Sequence, residues 1–395
     1  MPAPLEGIKV IDFTQFQNGP QGTSMLSDMG ADVLKIERPG EGDPLRPIGM
    51  APDGYNAVVE AVNRGKSSLT LNLKSPRAEE IIHKLVVDAD VVAENFIAGT
   101  MDGLGFGYED LRKINPKLIF ATNSGFGPEG PWTERGCYDH VSQGFSGAMI
   151  SNGGGPGADP VRLIWGANDQ ISGIILAYGI MTALVARELH GVGQKVDVSL
   201  VGAMMTLQGT AISGYLHTRE QPRVPFPPPL RPTFSPHKAS DGEWFTDGVL
   251  VPAHWPKLCM AINRPDLIDD ERTKDAWART ENAEWLTEEL NTLYATKPRQ
   301  YWLDKYEEFN VPGGPVYDYA GLVADQQAWD SGYLVEVEHP NFENHAALGI
   351  PARFSVTEAK VQGVAPEVGQ HTEEALLALG YSWDDINELR DQEVI

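Results

Sequence analysis

The chain has 395 residues, with 31 Lys or Arg against 55 Asp or Glu and a net charge of −24 at pH 7. The length exceeds what one hydrophobic core usually serves and predicts two domains, and the charge argues against nucleic acid or an anionic membrane as a partner. Two cysteines, Cys137 and Cys259, are too few for a disulfide framework or a cysteine-rich metal site and read as reduced thiols. The histidines show no His-x-x-x-His pair, so no metal is expected. No apolar stretch reads as long and uninterrupted enough to span a bilayer, and no basic segment followed by an apolar core opens the chain; the expectation is a cytoplasmic protein.

In chain order, Ile8 to Phe13 predicts a short strand, Gln21 to Met29 a helix, Asp32 to Ile36 a second strand, and Ser68 to Leu73 a third of alternating character. Ser75-Pro76 reads as a helix start, with a hydroxyl to cap and proline at the first helical position. That helix runs through Ile81, Ile82, Leu85 and Val86. Asp90 to Glu94 is the next strand, Tyr108 to Ile114 a short helix stopped by Pro116, and Leu118 to Thr122 a buried strand. Strand and helix in alternation predict an α/β fold, a Rossmann-like large domain whose parallel sheet carries helices on both faces. No Gly-x-Gly-x-x-Gly follows the first strand, so a nicotinamide or flavin dinucleotide is not indicated.

A long apolar helix is predicted from Ile171 to Leu189, ended by Gly191 and Gly193 and followed by a strand over Gln194 to Leu200. Asp169 stands where that helix begins. A carboxylate there is stabilised by open backbone N–H groups and the positive end of the macrodipole, the ordinary setting of an N-cap. The proline-dense run 216–232 predicts an extended linker between a large domain, 1–215, and a smaller α+β domain, 233–325. In the smaller domain Asp241-Gly242 reads as a turn before the aromatic strand Trp244 to Phe245, with helices at Trp255 to Ile262 and Asn282 to Tyr294. Its aromatics Phe226, Phe234, Trp244, Phe245 and Trp255 read mostly as core, and His237 and Lys238 as groups able to orient a carboxylate substrate.

Several segments together carry a resemblance. Near the N-terminus stand Pro4-Leu5-Glu6-Gly7-Ile8-Lys9-Val10, Gly30-Ala31-Asp32-Val33-Leu34-Lys35-Ile36-Glu37-Arg38 and Gly42-Asp43-Pro44. Asn63-Arg64-Gly65-Lys66, Leu71-Asn72-Leu73-Lys74, Glu94-Asn95-Phe96, Gly125-Phe126-Gly127 and Gly166-Ala167-Asn168-Asp169 follow, and Gly369-Gln370-His371-Thr372 closes the series. In order and spacing this chain resembles the family III CoA-transferases. The resemblance implies CoA transfer from an acyl-CoA donor to a carboxylic acid acceptor, with Asp169 as the nucleophile and coenzyme A as substrate rather than tightly bound cofactor. It implies CoA contacts at Arg38, Leu71, Asn72, Leu73, Lys74, Asn95, Phe96 and Tyr138, and it places Gln17 and Asn18 in a loop approaching the nucleophile; their other reading is helix entry and turn formation. It also implies that 326–395 return to complete the large domain, and that two subunits interlock as a homodimer.

Coenzyme A is polyanionic, so this acidic chain must gather positive charge locally. Lys35, Arg38, Arg46, Arg64, Lys66 and Lys74 are the candidates, each also readable as ordinary surface. The pattern departs from the family at Ile97-Ala98-Gly99, where many relatives carry Arg-Pro-Gly, and at Gly103, where an arginine often sits. Two other readings stand beside CoA transfer. One is α-methylacyl-CoA racemisation, whose histidine position is here Tyr138, with His140 on the same face if that stretch is extended; the other is a non-catalytic CoA-binding subunit. Cys137, lacking a histidine partner, reads as a small apolar residue. No four-glycine run lies between 230 and 330, where formyl-CoA transferase has a mobile loop; if one or two of the second domain's aromatics line the acyl pocket instead, an acid larger than oxalate, aromatic or branched, fits better.

Overall fold

The computed structural model describes residues 1–221, 232–343 and 345–395. The chain divides into two compact units, one of Met1–Met149, Pro160–Glu220 and Trp329–Ile395, the other of Ile150–Asp159 and Gln221–Ala328. The first unit opens with β1 (Lys9–Asp12), α1 (Asn18–Asp28), β2 (Asp32–Glu37), α2 (Ala57–Asn63), β3 (Ser67–Thr70), α3 (Pro76–Val87) and β4 (Val91–Glu94). It continues through α4 (Thr100–Gly103), α5 (Tyr108–Ile114), β5 (Ile119–Ser124), α6 (Asp139–Phe145), α7 (Ala148–Asn152, its last residues in the second unit), α8 (Ala167–His190), β6 (Gln194–Ser199), α9 (Leu200–Leu207) and α10 (Gly209–Thr218). Six strands form one parallel sheet in the order β3-β2-β1-β4-β5-β6. The order in which strands are added reverses between β1 and β4, so the loops after them part and leave a crevice at the carboxyl ends of the strands, where doubly wound folds take their ligands.

Local chemistry explains the elements. Ser75 Oγ accepts the Arg77 N–H at 3.3 Å, Pro76 is the first helical residue, and Ala78, Ile81, Ile82 and Val86 face inward. Consecutive strand residues enter opposite cores, as a pleat requires. Ile11, Val92 and Phe120 pack with α3, α5 and C-terminal helices, whereas Val10, Val91 and Ile119 pack with Leu26 of α1 and Leu176, Ala177 and Ile180 of α8. The third strand ends at Thr70 rather than Leu73, because Asn72 and Ser75 close a turn (Ser75 N–H to Asn72 O, 2.9 Å). Helix α2, absent from the sequence reading, is capped by the Asn56 side chain, which accepts from Val58 and Val59.

Helices α1 and α8 cross closely because both are glycine at the contact. A Cβ at Gly173 would stand 2.8 Å from Asn18 O and 2.7 Å from the Gln21 side chain, and one at Gly22 would stand 2.9 Å from Gly173 O. Gly173→Val is therefore expected to destabilise the unit by about 1–3 kcal/mol through overpacking against backbone, seen as a lowered Tm; an unchanged Tm would show that the helices separate freely. Helix α8 also corrects one expectation. At 24 residues, with an 18-residue stretch of mean hydropathy 1.5, it is long and apolar enough to cross a bilayer by length and composition. One side of it fills the core, while Ile174, Tyr178, Val185 and Leu189 stand exposed.

The edge strand β3 is closed by the distant C-terminal segment. The Ser68 N–H donates to His371 Nδ1 (3.2 Å), Thr70 N–H to Thr372 Oγ1 (3.1 Å) and Asn72 N–H to Val394 O (2.8 Å), while the His371 N–H donates to Ser68 O (2.9 Å). Covering an edge in this way removes a template for unwanted pairing.

The second unit carries an antiparallel sheet of three strands, β7 (Pro236–Lys238), β8 (Trp244–Asp247) and β9 (Gly313–Val316). Around its core of Phe245, Trp255, Leu258, Leu286 and Leu290 lie α11 (His254–Ala261), α12 (Ala276–Glu281), α13 (Ala283–Tyr294) and α14 (Arg299–Glu308). Residues 222–231, most of the expected linker, lie outside the described residues, and 216–218 belong to α10.

Candidate active site

Asp169 does not cap its helix. Gly166 occupies the cap position at φ 73°, and Asp169 is the third residue of α8. The open N–H groups are taken instead by Asp139 from the start of α6, whose Oδ1 accepts from Asn168 N–H at 2.7 Å and from Asp169 N–H at 3.4 Å. Gln143 Nε2 fixes the other Asp139 oxygen at 2.8 Å, and Asn168 is anchored through its amide to Ser142 Oγ and Leu200 O. Among the described residues no hydrogen bond engages the Asp169 carboxyl oxygens. Its pKa is pushed up to about 7, first by burial and second by the neighbouring Asp139 charge. The helix N-terminus pulls the other way, and burial wins.

Gln17 meets the same helix start. A Cβ at Gly166 would lie 2.4 Å from Gln17 Nε2, so the side-chain amide rests against the first turn of α8, and Gln17 itself is buried. Asn18 and Asn95 are nearby but committed. Asn18 Nδ2 donates to Asn123 O, and its Oδ1 accepts from Gly19 N–H and Asn95 Nδ2. Asn95 also exchanges two hydrogen bonds with the Gln15 backbone, both 2.7 Å. These two residues stitch the loop after β1 to the end of β4. Phe16, at the apex of that loop, has φ 58° and packs edge-on to the exposed Tyr138, ring centroids 5.5 Å apart.

The crevice at the carboxyl ends of the strands holds a cavity of about 790 Å³ that brings Arg38, Leu71, Asn72, Leu73, Lys74 and Phe96 together. Asn95 and Tyr138 lie outside its lining. Of the six cations considered for an anionic ligand, four are committed to ion pairs within the unit, three of them buried and Arg46 half-buried: Lys35 with Asp43 (2.9 Å), Arg46 with Glu37 (2.7 Å), Arg64 with Asp28 (2.5 Å) and Lys66 with Asp12 (2.9 Å). Arg38, 68% exposed and, among the described residues, ion-paired only with the exposed Glu41, and Lys74 remain at the cavity.

The remaining candidates belong to the second unit or take other roles. His237 is 1% exposed, with Nδ1 3.2 Å from Asn291 Oδ1, Nε2 3.5 Å from Asp247 Oδ2 and its ring 4.6 Å from that of Tyr294. Alternation along β7 turns it into the core of the second unit, so it is not presented to a substrate. Lys238 points outward, its Nζ 5.9 Å from the Trp244 ring centroid; Phe245 and Trp255 are core, and Phe226 lies outside the described residues. His140 does not share a face with Tyr138, because helix α6 begins at Asp139 and two helical steps turn a side chain by about 200°. Cys137 has its pKa pushed up to about 11 by burial, then by Asp169 and Asp139, which keeps the thiol protonated and unreactive. The role of Asp139 was missed at the level of sequence. Its signal was an acidic residue at a second helix start, but the pairing with α8 spans thirty residues.

Comparison with known proteins identifies the family. Formyl-CoA:oxalate CoA-transferases of Escherichia coli O157:H7 and Shigella dysenteriae serotype 1 are each 32% identical to the chain, over all of it and all of theirs. The crystal structure of a CAIB/BAIF family protein from Brucella suis superimposes with a TM-score of 0.84 at 31% identity, covering 96% of this chain and 100% of that one. Rv3272 from Mycobacterium tuberculosis, in an orthorhombic crystal form, gives 0.82 at 31% identity, covering 94% and 99%. With its sequence matching that family's pattern from residue 5 to residue 372, the chain belongs to CoA-transferase family III and is a CoA-transferase.

Proposed function

We propose that the chain moves CoA from an acyl-CoA to a free carboxylic acid through covalent intermediates on Asp169. The observation that supports this most directly is that Asp139 caps α8 and leaves both Asp169 oxygens unengaged among the described residues. A carboxylate oxygen of Asp169 attacks the donor thioester carbonyl, the C–S bond breaks, and a mixed anhydride and the CoA thiolate result. The thiolate attacks the aspartyl carbonyl, expelling the donor's carboxylate and leaving an aspartyl-CoA thioester. The acceptor carboxylate attacks that thioester, releasing the thiolate and forming a second anhydride. Attack of the thiolate on the acceptor carbonyl then yields the new acyl-CoA and regenerates Asp169.

Each tetrahedral stage puts negative charge on oxygen beside Asp139, so a fixed donor is needed; the Gln17 amide is the group we assign to it. Asn18 and Asn95 hold its loop, and Tyr138 backs Phe16. Arg38 and Lys74 take the CoA phosphates, while Leu71, Asn72, Leu73 and Phe96 line its path. We also propose that the exposed apolar side of α8 is covered by a second copy of the chain, and that the acid accepted is larger than oxalate. The two unpaired cysteines fit a reducing compartment, such as the cytoplasm.

The test is intact-protein mass spectrometry after mixing with several acyl-CoA donors and trapping with hydroxylamine. A hydroxamate on Asp169, absent from Asp169→Ala, supports the covalent route. No adduct with any donor, together with solvent deuterium beside the thioester carbonyl, would replace it with racemisation. For the pocket, Arg38→Ala combined with Lys74→Ala is expected to raise KM for acyl-CoA by about tenfold or more and to flatten its salt dependence, with kcat little changed. An unmoved KM would place the phosphates elsewhere.

A further inference from the structure

We propose that Asp43, through its buried pair with Lys35, is a positioning residue that holds Phe16 in a left-handed backbone conformation and so seats the Gln17 amide at the start of α8. Asp43 and Lys35 are each about 1% exposed. Asp43 Oδ2 accepts from Lys35 Nζ at 2.9 Å, and its Oδ1 accepts from the Phe16 N–H at 3.0 Å and the Leu45 N–H at 2.9 Å. Lys35 Nζ donates again to Thr14 O at 2.7 Å. One ion pair thus grips the loop after β1 at two backbone points, Thr14 O and the Phe16 N–H, which flank Gln15 and immediately precede Gln17. The pair is itself fixed from behind: the Asp43 N–H donates to Glu37 Oε1 at 2.9 Å, and Glu37 is held by both Arg46 nitrogens and by Ser68 Oγ.

The need for that grip lies in Phe16. Its φ of 58° is the region that a bulky L-residue seldom adopts, and such a conformation persists only where its surroundings over-determine it. The next residue is Gln17, whose Nε2 rests against Gly166 three residues before Asp169. If Phe16 relaxed to an ordinary conformation, the chain after it would leave in another direction and the amide would leave α8. The buried acceptor on Asp43 is the group that keeps the turn closed. Of the four candidate cations committed to ion pairs, Lys35 has a loop as its load rather than a ligand.

The proposal rests on the reading that Gln17 serves the chemistry at Asp169, and Gln17→Ala tests that reading by itself. Replacing the pair by apolar residues, Lys35→Met with Asp43→Leu, removes both charges together, which a buried site tolerates far better than losing one. The expected result is a fall in kcat of about tenfold to a hundredfold, with KM for acyl-CoA changed by less than about threefold. Lys35→Met with Asp43→Asn keeps an amide oxygen for the Phe16 N–H and is expected to hold kcat within about threefold of the parent. Should the first double variant fail to fold, Phe16→Val touches neither charge; a branched Cβ resists this φ, so it should lose kcat about tenfold while Phe16→Leu does not. If Gln17→Ala leaves kcat unchanged, the reading of Gln17 is what fails. If Gln17→Ala lowers kcat but the apolar pair and Phe16→Val do not, the positioning role is overturned.

Discussion

Asp169→Ala is expected to lower kcat for CoA transfer by about four orders of magnitude or more, because no other nucleophile stands ready to carry the acyl group. Cys137 is the nearest rival and stays protonated, its pKa pushed up to about 11. The same position should show the opposite effect on stability. In the folded chain the Asp169 pKa is pushed up to about 7 from 3.8, so the fold favours the protonated form. The resulting stabilisation is fully present below about pH 4 and is lost progressively as pH rises through about 7. Asp169→Asn, which keeps the shape and removes the charge, is therefore expected to melt higher than the parent at pH 8 and nearly equal to it at pH 4. Thermal melts at the two values, alongside steady-state rates, check both halves. A variant that keeps more than about a hundredth of the parental rate would remove Asp169 from the covalent role.

The second large effect concerns pH. The attacking group must be ionised, so kcat/KM for acyl-CoA is expected to fall about tenfold per pH unit below about 7 and to level off above it. Two causes raise this pKa, burial first and the Asp139 charge second. Asp139→Asn removes the second and keeps an oxygen to accept from the Asn168 N–H, so the midpoint should move to lower pH without reaching the ordinary carboxylate range. At pH 6 the variant should then react with the donor faster than the parent. Hydroxamate yield against pH measures this directly. A profile flat from pH 5 to 8 in the parent, or a midpoint unmoved in Asp139→Asn, would show that Asp169 ionisation does not control the step.

Much of the large unit could be read from local rules. Ser75-Pro76 announced α3, Gly191 ended α8, and the alternation of apolar runs with helical ones announced a parallel sheet. What escaped was long-range partnership. Asp169 has the composition and place of an N-cap, and only the arrival of Asp139 from another helix shows that the position was already served. Lys35, Arg46, Arg64 and Lys66 look like Arg38 in sequence, since nothing local tells a cation bound for a buried carboxylate from one left at a cavity. His237 was misread for the same reason: its neighbours in sequence are exposed, and its burial is set by Asn291 and Tyr294, more than fifty residues on. The exposed side of α8 was hidden by averaging, because a helix apolar all round gives no sign of which face its own unit will cover.

The seal over β3 has a consequence for how the chain is made. Ser68 and Thr70 wait for partners about 300 residues downstream, and Asn72, in the wall of the cavity that Arg38 and Lys74 line, waits for Val394. At typical translation rates of about 5–20 residues per second that is a delay of roughly fifteen seconds to a minute. For roughly the last two-thirds of it the nascent chain already carries Asp169 and its capping partner, yet one margin of the sheet stays open. Emergence of residues 371–394, rather than synthesis of Asp169, is then the moment at which a closed cavity first exists, and shielding of that strand by a chaperone in the interval would raise the yield of active protein.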